Sequence, residues 1–402
     1  MNKILRIRIF SVLFLTIFSA MLGLGIILPI LPLYAKSLGA TGLWLGAIFA
    51  GFSLSRSILM PFIGRYSDKS GIRKAFIAAG LFVYACSSLG YVYSTDAFSL
   101  LLVRIVQGAC SAMIVPVAMA YIGDITPKDR EGSFMGLFTI SLFLGFGIGP
   151  LCGGFIMDFV SVNAAFISMG ILCAIAFLLV VFLLPSSNSK HLPSTISPSS
   201  YRKILSSNLI RGVICYRFAS AFTRASILSF LPLYASYKID MSVSQIGIVI
   251  STSVLLTSFF QYPFGKLADR MNRRNLILIG SILYSLAVIL FPFAASFSQV
   301  FMLSLILGVL GALSMPAATA IIVGEGKKFG MGSSMAVFNV SMSLGLGCGP
   351  LVSGIIHDLI DIKIVFYFAA FVGVAGSIFA GYFLRDPIPD VPVEEIKVIE
   401  EI

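Results

Sequence analysis

An apolar unit that occurs twice, in the same order, limits this chain more than any other feature. LPLYA at Leu31–Ala35 returns at Leu231–Ala235, and GPLCGGFIMD at Gly149–Asp158 returns as GPLVSGIIHD at Gly349–Asp358. GRYSDKSGIRK at Gly64–Lys74 returns as GKLADRMNRRN at Gly265–Asn275. The offset stays near 200 residues for all three matches, so one six-span unit has been duplicated and fused. Duplication of this kind in a membrane protein goes with transport, because two matched halves can rock about a site held between them.

The chain has 402 residues, of which 58% are hydrophobic and 11% charged, and its mean hydropathy is +1.00. A soluble domain carries about 25% charged residues, so there is too little polar surface here to cover a particle in water. The apolar runs are long enough for helices of about 20 residues and do not show the alternating segments of a β-barrel. Lys3, Arg6 and Arg8 precede a run reaching about Tyr34; it is too long for a signal sequence and is followed by more spans, so it reads as the first transmembrane helix. The six cysteines lie inside apolar runs with no CxxC pair, and the two histidines, His191 and His357, have no ligand cluster beside them. They predict neither a disulfide framework nor a metal site.

Twelve spans are expected near 9–34, 43–63, 75–93, 97–120, 135–157, 163–184, 209–235, 243–264, 276–294, 298–322, 332–356 and 363–384. Lys and Arg crowd alternate loops, and only Lys36, Lys238 and Lys363 fall on the other side. The crowded side is therefore expected in the cytoplasm, with both termini. The net charge of +11 is topogenic on this reading and gives no reason to expect nucleic acid as a partner. The expected division is a first six-helix bundle over 1–184, a Ser- and Pro-rich linker over 185–208, a second bundle over 209–386 and a cytoplasmic tail over 387–402.

Four motifs carry more than packing. In GRYSDKSGIRK, Gly64 allows close helix approach, Asp68 can face the positive end of a neighbouring helix, and Lys69, Arg73 and Lys74 hold the loop at the surface. In LLVRIVQGACSA, Arg104 stands inside an apolar span with Gln107 and Gly108; a guanidinium there is unfavourable by about 3 kcal/mol, so it usually faces a cavity. In the repeat, Arg104 aligns with Ser304, which separates it from the shared packing positions. In LGFGIGPLCGGF, Gly145, Gly149 and Gly153 make a stripe every four residues beside Pro150 and Gly154, a pattern for close backbone approach and a bend. In MLGLGIILPILPLYA, Gly23, Gly25 and Tyr34 accompany Pro29 and Pro32, two prolines three apart that loosen the outer half of span 1.

Together these motifs resemble the major facilitator superfamily, and within it the twelve-span drug:proton antiporter branch, over essentially the whole chain. The resemblance implies an all-α fold of two pseudo-twofold six-helix bundles, with a central cavity lined mainly by spans 1, 4, 7 and 10. It makes Gly64, Asp68, Gly71, Arg73, Asp124, Asp269 and Arg273 a cytoplasmic latch, and implies a charge relay among Asp68, Arg73, Asp124, Arg130 and Glu131. It gives Arg104 a part in proton coupling, and Gly145, Gly149, Pro150, Gly153 and Gly154 the antiporter signature, though span 11 carries a similar stripe. Ile72 departs from the pattern, where a basic residue is usual.

Further charges lie in spans: Arg56 in span 2, and Arg217 and Arg224 seven apart on one face of span 7. Arg56, Arg104, Gln107, Arg217 and Arg224 are the candidates for a positive substrate and proton cavity, with Gln261 and Asn339 as weaker polar candidates. No Asp or Glu lies in the middle of any span. The expectation is a secondary active transporter of the cell membrane, exporting small neutral or anionic molecules in exchange for protons. No ATP is expected to drive it, since no GxxxxGK[ST] motif is present; no cofactor is expected, and it is expected to work as a single chain. Uptake of an anionic metabolite by the same fold is the alternative, and a membrane-embedded enzyme the remote one.

Overall fold

The computed structural model describes residues 3–126, 131–185 and 204–385. Among them run twelve long helices: α1 (Lys3–Ser37), α2 (Gly42–Ser70), α3 (Arg73–Val92), α4 (Ala97–Ile125), α5 (Glu131–Phe159), α6 (Val162–Leu183), α7 (Asn208–Ile239), α8 (Val243–Arg270), α9 (Arg273–Ile289), α10 (Phe297–Phe329), α11 (Met331–Leu359) and α12 (Ile362–Phe383). Each expected span is present, and most helices run past their apolar core. Eleven are long and apolar enough to cross a bilayer. The exception is α7, whose apolar run is interrupted by Arg217, Thr223, Arg224 and several serines.

Short polar residues set the helix starts. Thr41, Ser161, Ser207 and Ser296 each accept a hydrogen bond from the backbone N–H three residues on, while Asp96 with Ser99, and Ser242 with Gln245, form capping boxes. Gly71 closes α2 with φ of +69°, a left-handed turn that glycine adopts without strain. Nine prolines lie inside helices, among them the repeat-related pairs Pro32/Pro232, Pro116/Pro316 and Pro150/Pro350.

The two halves pack alike. In the first, α1 lies on α5 and α6, α2 on α4, and α3 on α4 and α6; in the second, α7 lies on α11 and α12, α8 on α10, and α9 on α10 and α12. Even single bonds repeat: the Tyr34 hydroxyl donates to the Tyr91 carbonyl at 2.9 Å, and the Tyr234 hydroxyl to the Pro292 carbonyl at 3.0 Å. Many of the most exposed side chains, such as Phe182, Phe259, Leu359 and Phe371, are apolar, as a surface turned to lipid requires. At the end of the expected linker, Ile204 is buried in the second bundle with Leu209, Ile210 and Leu384, so that bundle begins before residue 209.

The bundles meet along two equivalent seams, α5 on α8 and α2 on α11. Glycine makes both. A methyl group at Gly154 would stand 2.5 Å from the Val243 carbonyl of α8, and one at Gly247 would overlap the Pro150 carbonyl of α5, whereas Gly145 and Gly149 pack α5 on Phe18 and Gly25 of α1 inside the first bundle. At the other seam a methyl at Gly42 would stand 2.6 Å from the Gly354 carbonyl and one at Gly46 would overlap the Pro350 carbonyl, while Gly345 and Gly349 press on Phe218 and Phe222 of α7 inside the second bundle. Both seams end in a carboxylate. Asp158 accepts from the backbone N–H groups of Val243 (3.3 Å) and Ser244 (2.7 Å), and Asp358 from those of Gly42 (2.6 Å) and Leu43 (2.8 Å). Each acid thus caps the first turn of a helix in the opposite bundle, where amide donors and the helix dipole favour negative charge.

Candidate functional site

Between α5 of the first bundle and α7, α8, α9 and α10 of the second lies a partly open chamber. Its walls are mostly apolar, with Phe143 and Phe146 from α5 facing Leu228, Leu231, Ile250 and Val254. Ser253, Thr257, Tyr284, Ser304 and Arg224 supply its polar groups. A second, much narrower chamber lies inside the second bundle and is lined by hydroxyls, among them Ser220, Thr223, Ser281, Ser285, Ser314 and Ser377. Arg224 and Tyr284 line both chambers and form the neck between them. Helical spacing produces this: Ser220, Arg224, Ile227, Leu228 and Leu231 recur at three- and four-residue intervals and present one face of α7 to the void. Several of the hydroxyls are tied down. Ser377 donates to Ser281 Oγ at 2.7 Å, Ser285 to the Ser281 carbonyl at 2.8 Å, and Thr223 to the Ala369 carbonyl at 2.8 Å.

Arg104 is only 3% exposed and stands inside the first bundle. Its guanidinium lies 4.4 Å from the ring centre of Phe52 and 5.5 Å from that of Phe49, within reach of cation–π attraction. Nη1 donates to Gln107 Oε1 at 3.3 Å, the Tyr91 hydroxyl donates to the same oxygen, and the Gln107 amide reaches the Met169 sulfur at 3.5 Å. Arg56, half-buried on α2, and Arg104 both lie within electrostatic reach of Tyr84. Arg217 donates to the Met315 sulfur at 2.9 Å and the Met342 sulfur at 2.7 Å, beneath the Phe338 ring at 4.6 Å. Gln261 and Asn339 are half-buried and border neither chamber.

The four arginines expected in one positive cavity are not brought together at the two chambers. Arg224 alone of them lines the chambers. Arg56 and Arg104 turn into the first bundle. Arg217 shares the face of Arg224, but seven residues of helix displace it by about 10 Å along the axis, to the level of Met315 and Met342. Ser304, the repeat counterpart of Arg104, does line the large chamber.

At the end of the molecule away from Asp158 and Asp358, Arg73 Nε lies 3.1 Å from Asp124 Oδ2, with both side chains buried. The Asp68 and Glu131 side chains and all of Arg130 lie outside the described residues. Asp269 is exposed, and Arg273 Nε donates to the Ala268 carbonyl at 3.3 Å. Nothing described stands within 4 Å of a methyl group built at Gly64 or Gly265. No described residue makes the close approach expected at Gly64.

Three structural features of this region are not evident from the sequence. Tyr284 does recur at the offset of Tyr84, a signal that was available. The serine chamber gave none, since single serines in apolar helices look alike until the helices are assembled. Asp158 and Asp358 were visible in the repeat, but nothing in sequence says that each reaches the opposite half.

Two six-helix bundles of matched topology, with a chamber where they meet, define the class of two-bundle membrane transporters. The sequence profile of the Major Facilitator Superfamily matches residues 13–216 and again 213–398, and the chain belongs to that family. It is 32% identical over 364 residues to an uncharacterized MFS-type transporter of Methanocaldococcus jannaschii, covering 89% of this chain and 94% of that one. It is 30% identical over 380 residues to the quinolone resistance protein NorA of Staphylococcus aureus, covering 91% and 94%. Among solved structures it is similar to a bacterial homologue of the human lysosomal transporter Spinster in an inward-facing and occupied conformation, with a TM-score of 0.84, 14% identity, and coverage of 98% and 100%. The protein is thus a multi-pass membrane transporter of small molecules.

Proposed function

We propose that this protein is a proton-coupled exporter of small, drug-like molecules, neutral or anionic, that works by alternating access as a single chain with both termini in the cytoplasm. One observation carries the substrate charge: Arg224 is the only Asp, Glu, Lys, Arg or His among the described residues lining either chamber. A site built for a lipophilic cation would place a carboxylate there, not a guanidinium. The direction of transport is supported by the glycine and proline stripe of α5 and by the relative named for quinolone resistance.

On this reading the closed seams at Asp158 and Asp358 face outward and the parted end near Gly64 and Gly265 faces the cytoplasm, from which substrate is loaded. Rocking would break the four carboxylate–amide bonds and the glycine contacts at one end while the Gly64 motif closes the other. Arg104, held by Gln107, Phe49 and Phe52, would respond to the proton from inside the first bundle.

The test is a growth-inhibition panel in an efflux-deficient host, comparing the intact protein with Arg104→Ala, together with proteoliposomes under an imposed pH gradient. The expected result is resistance to some neutral or acidic compounds, lost in Arg104→Ala, with transport that collapses when the gradient is dissipated. Equal sensitivity with and without the protein, or strong lipophilic-cation export unaffected in every arginine variant, would overturn the reading. Arg224 also suits uptake of an anionic metabolite; accumulation driven in the opposite sense by the same gradient would select that reading instead.

A further inference from the structure

Arg224 has no counterpart in the other half. The repeat places it opposite Leu24, a core residue 6% exposed, so the fold at this level is satisfied by an aliphatic side chain. The other in-span arginines of α4 and α7 are each held by close polar or aromatic neighbours, Arg104 by Gln107 and Phe52, Arg217 by two methionine sulfurs and Phe338. Arg224 has the Tyr284 side chain beside it, the ring 5.9 Å away, and it alone of the three also borders open volume on two sides. A guanidinium in a low-dielectric interior with no carboxylate beside it is costly, and the cost is offset when an anion arrives. The volume on either side of it differs in kind: a wide apolar chamber faced by Phe143, Phe146 and Leu228, and a narrow one lined by hydroxyls.

We infer that the two chambers form a bipartite site for an amphipathic monoanion, an aryl or alkyl carboxylate or sulfonate, whose apolar body fills the large chamber and whose acid group sits at the Arg224–Tyr284 neck against the serine hydroxyls. The planar fork of arginine matches two acid oxygens at once, and Tyr284 holds that fork at the boundary. Ser304 completes the geometry: the span that carries Arg104 in the first half offers a small residue here, leaving room for the ligand body. This assignment rests on the transport reading above but concerns equilibrium recognition, which can be measured apart from movement.

The experiment is equilibrium binding of three probes of one shape to the purified full-length protein in lipid nanodiscs: 1-naphthoate, neutral 1-naphthamide and the cation 1-naphthylmethylammonium. The expected order is naphthoate tightest and the cation weakest. Arg224→Gln lowers naphthoate affinity by about tenfold or more, the range for a charge-assisted hydrogen bond, and leaves naphthamide within about twofold. Arg224→Lys recovers part of the loss, and Leu228→Trp, which fills the apolar chamber, weakens naphthoate and naphthamide together. Retention of naphthamide binding in Arg224→Gln shows that the variant is folded. Equal binding of acid and amide by the intact protein, or an equal loss of both in Arg224→Gln, would overturn the assignment. Selective naphthoate binding with no gradient-driven transport would sink the export reading alone. Export of neutral compounds with no naphthoate binding would sink this assignment alone.

Discussion

Four arginines that look equivalent in the sequence occupy different environments, and their substitutions should separate accordingly. Arg104 is enclosed by Phe49, Phe52 and Gln107, a geometry that uses the flat face and the fork of the guanidinium together. Arg104→Lys keeps the charge and loses both features. It should assemble normally and reduce gradient-driven transport in vesicles by about tenfold or more, in line with the loss of one well-made charged hydrogen bond; unchanged transport would mean that charge alone suffices there. Tyr91→Phe removes the second donor to Gln107 Oε1. Its expected effect is a loss of about 1 kcal/mol, read as a lower melting midpoint in detergent, with the site chambers untouched because Tyr91 borders neither.

At the scale of helices, glycine spacing and helix ends decide what touches what. The α5 stripe lies against α1 so closely that Gly149→Leu leaves no room for the side chain beside Gly25. The expected outcome is failure to accumulate in the membrane, seen by immunoblot, whereas Gly64→Leu, where nothing described lies within 4 Å, should accumulate normally. The carboxylate caps act between halves. Removing both, in Asp158→Ala with Asp358→Ala, deletes four hydrogen bonds that cross the two seams. Spin labels attached at exposed positions 160 and 360 should then report a longer and broader distance distribution at that end. A distribution identical to that of the unaltered protein would show that glycine packing alone holds the seams shut.

For the whole molecule, the seams imply that the halves recognise each other without being covalently joined. Co-expression of residues 1–190 and 191–402 as separate chains should give two fragments that co-purify and restore transport; fragments that fail to associate would place the essential restraint in the covalent link. Much of this organisation was legible in the sequence. Apolar run length gave the helices, and the repeated motifs LPLYA, GPLCGGFIMD and GRYSDKSGIRK gave the duplication, because length and order along the chain are one-dimensional properties. The arginines were legible as costly residues, but not their surroundings. Helical periodicity put Arg217 and Arg224 on one face correctly, yet could not say that one would meet methionine sulfurs and the other a void, since that depends on which helices lie opposite.

What the sequence determined by itself was therefore the set of membrane-crossing helices, their doubling and the scarcity of ionised groups within them, all consequences of hydrophobic length and the penalty for charge in hydrocarbon. Which guanidinium borders the chambers, where the serines converge, and which end of the bundles is closed by Asp158 and Asp358 were decided only by tertiary structure. Those properties arise from helices far apart in the chain approaching within van der Waals contact, and the rotation of each helix about its axis, fixed by glycine contacts at the seams, selects the residues that meet.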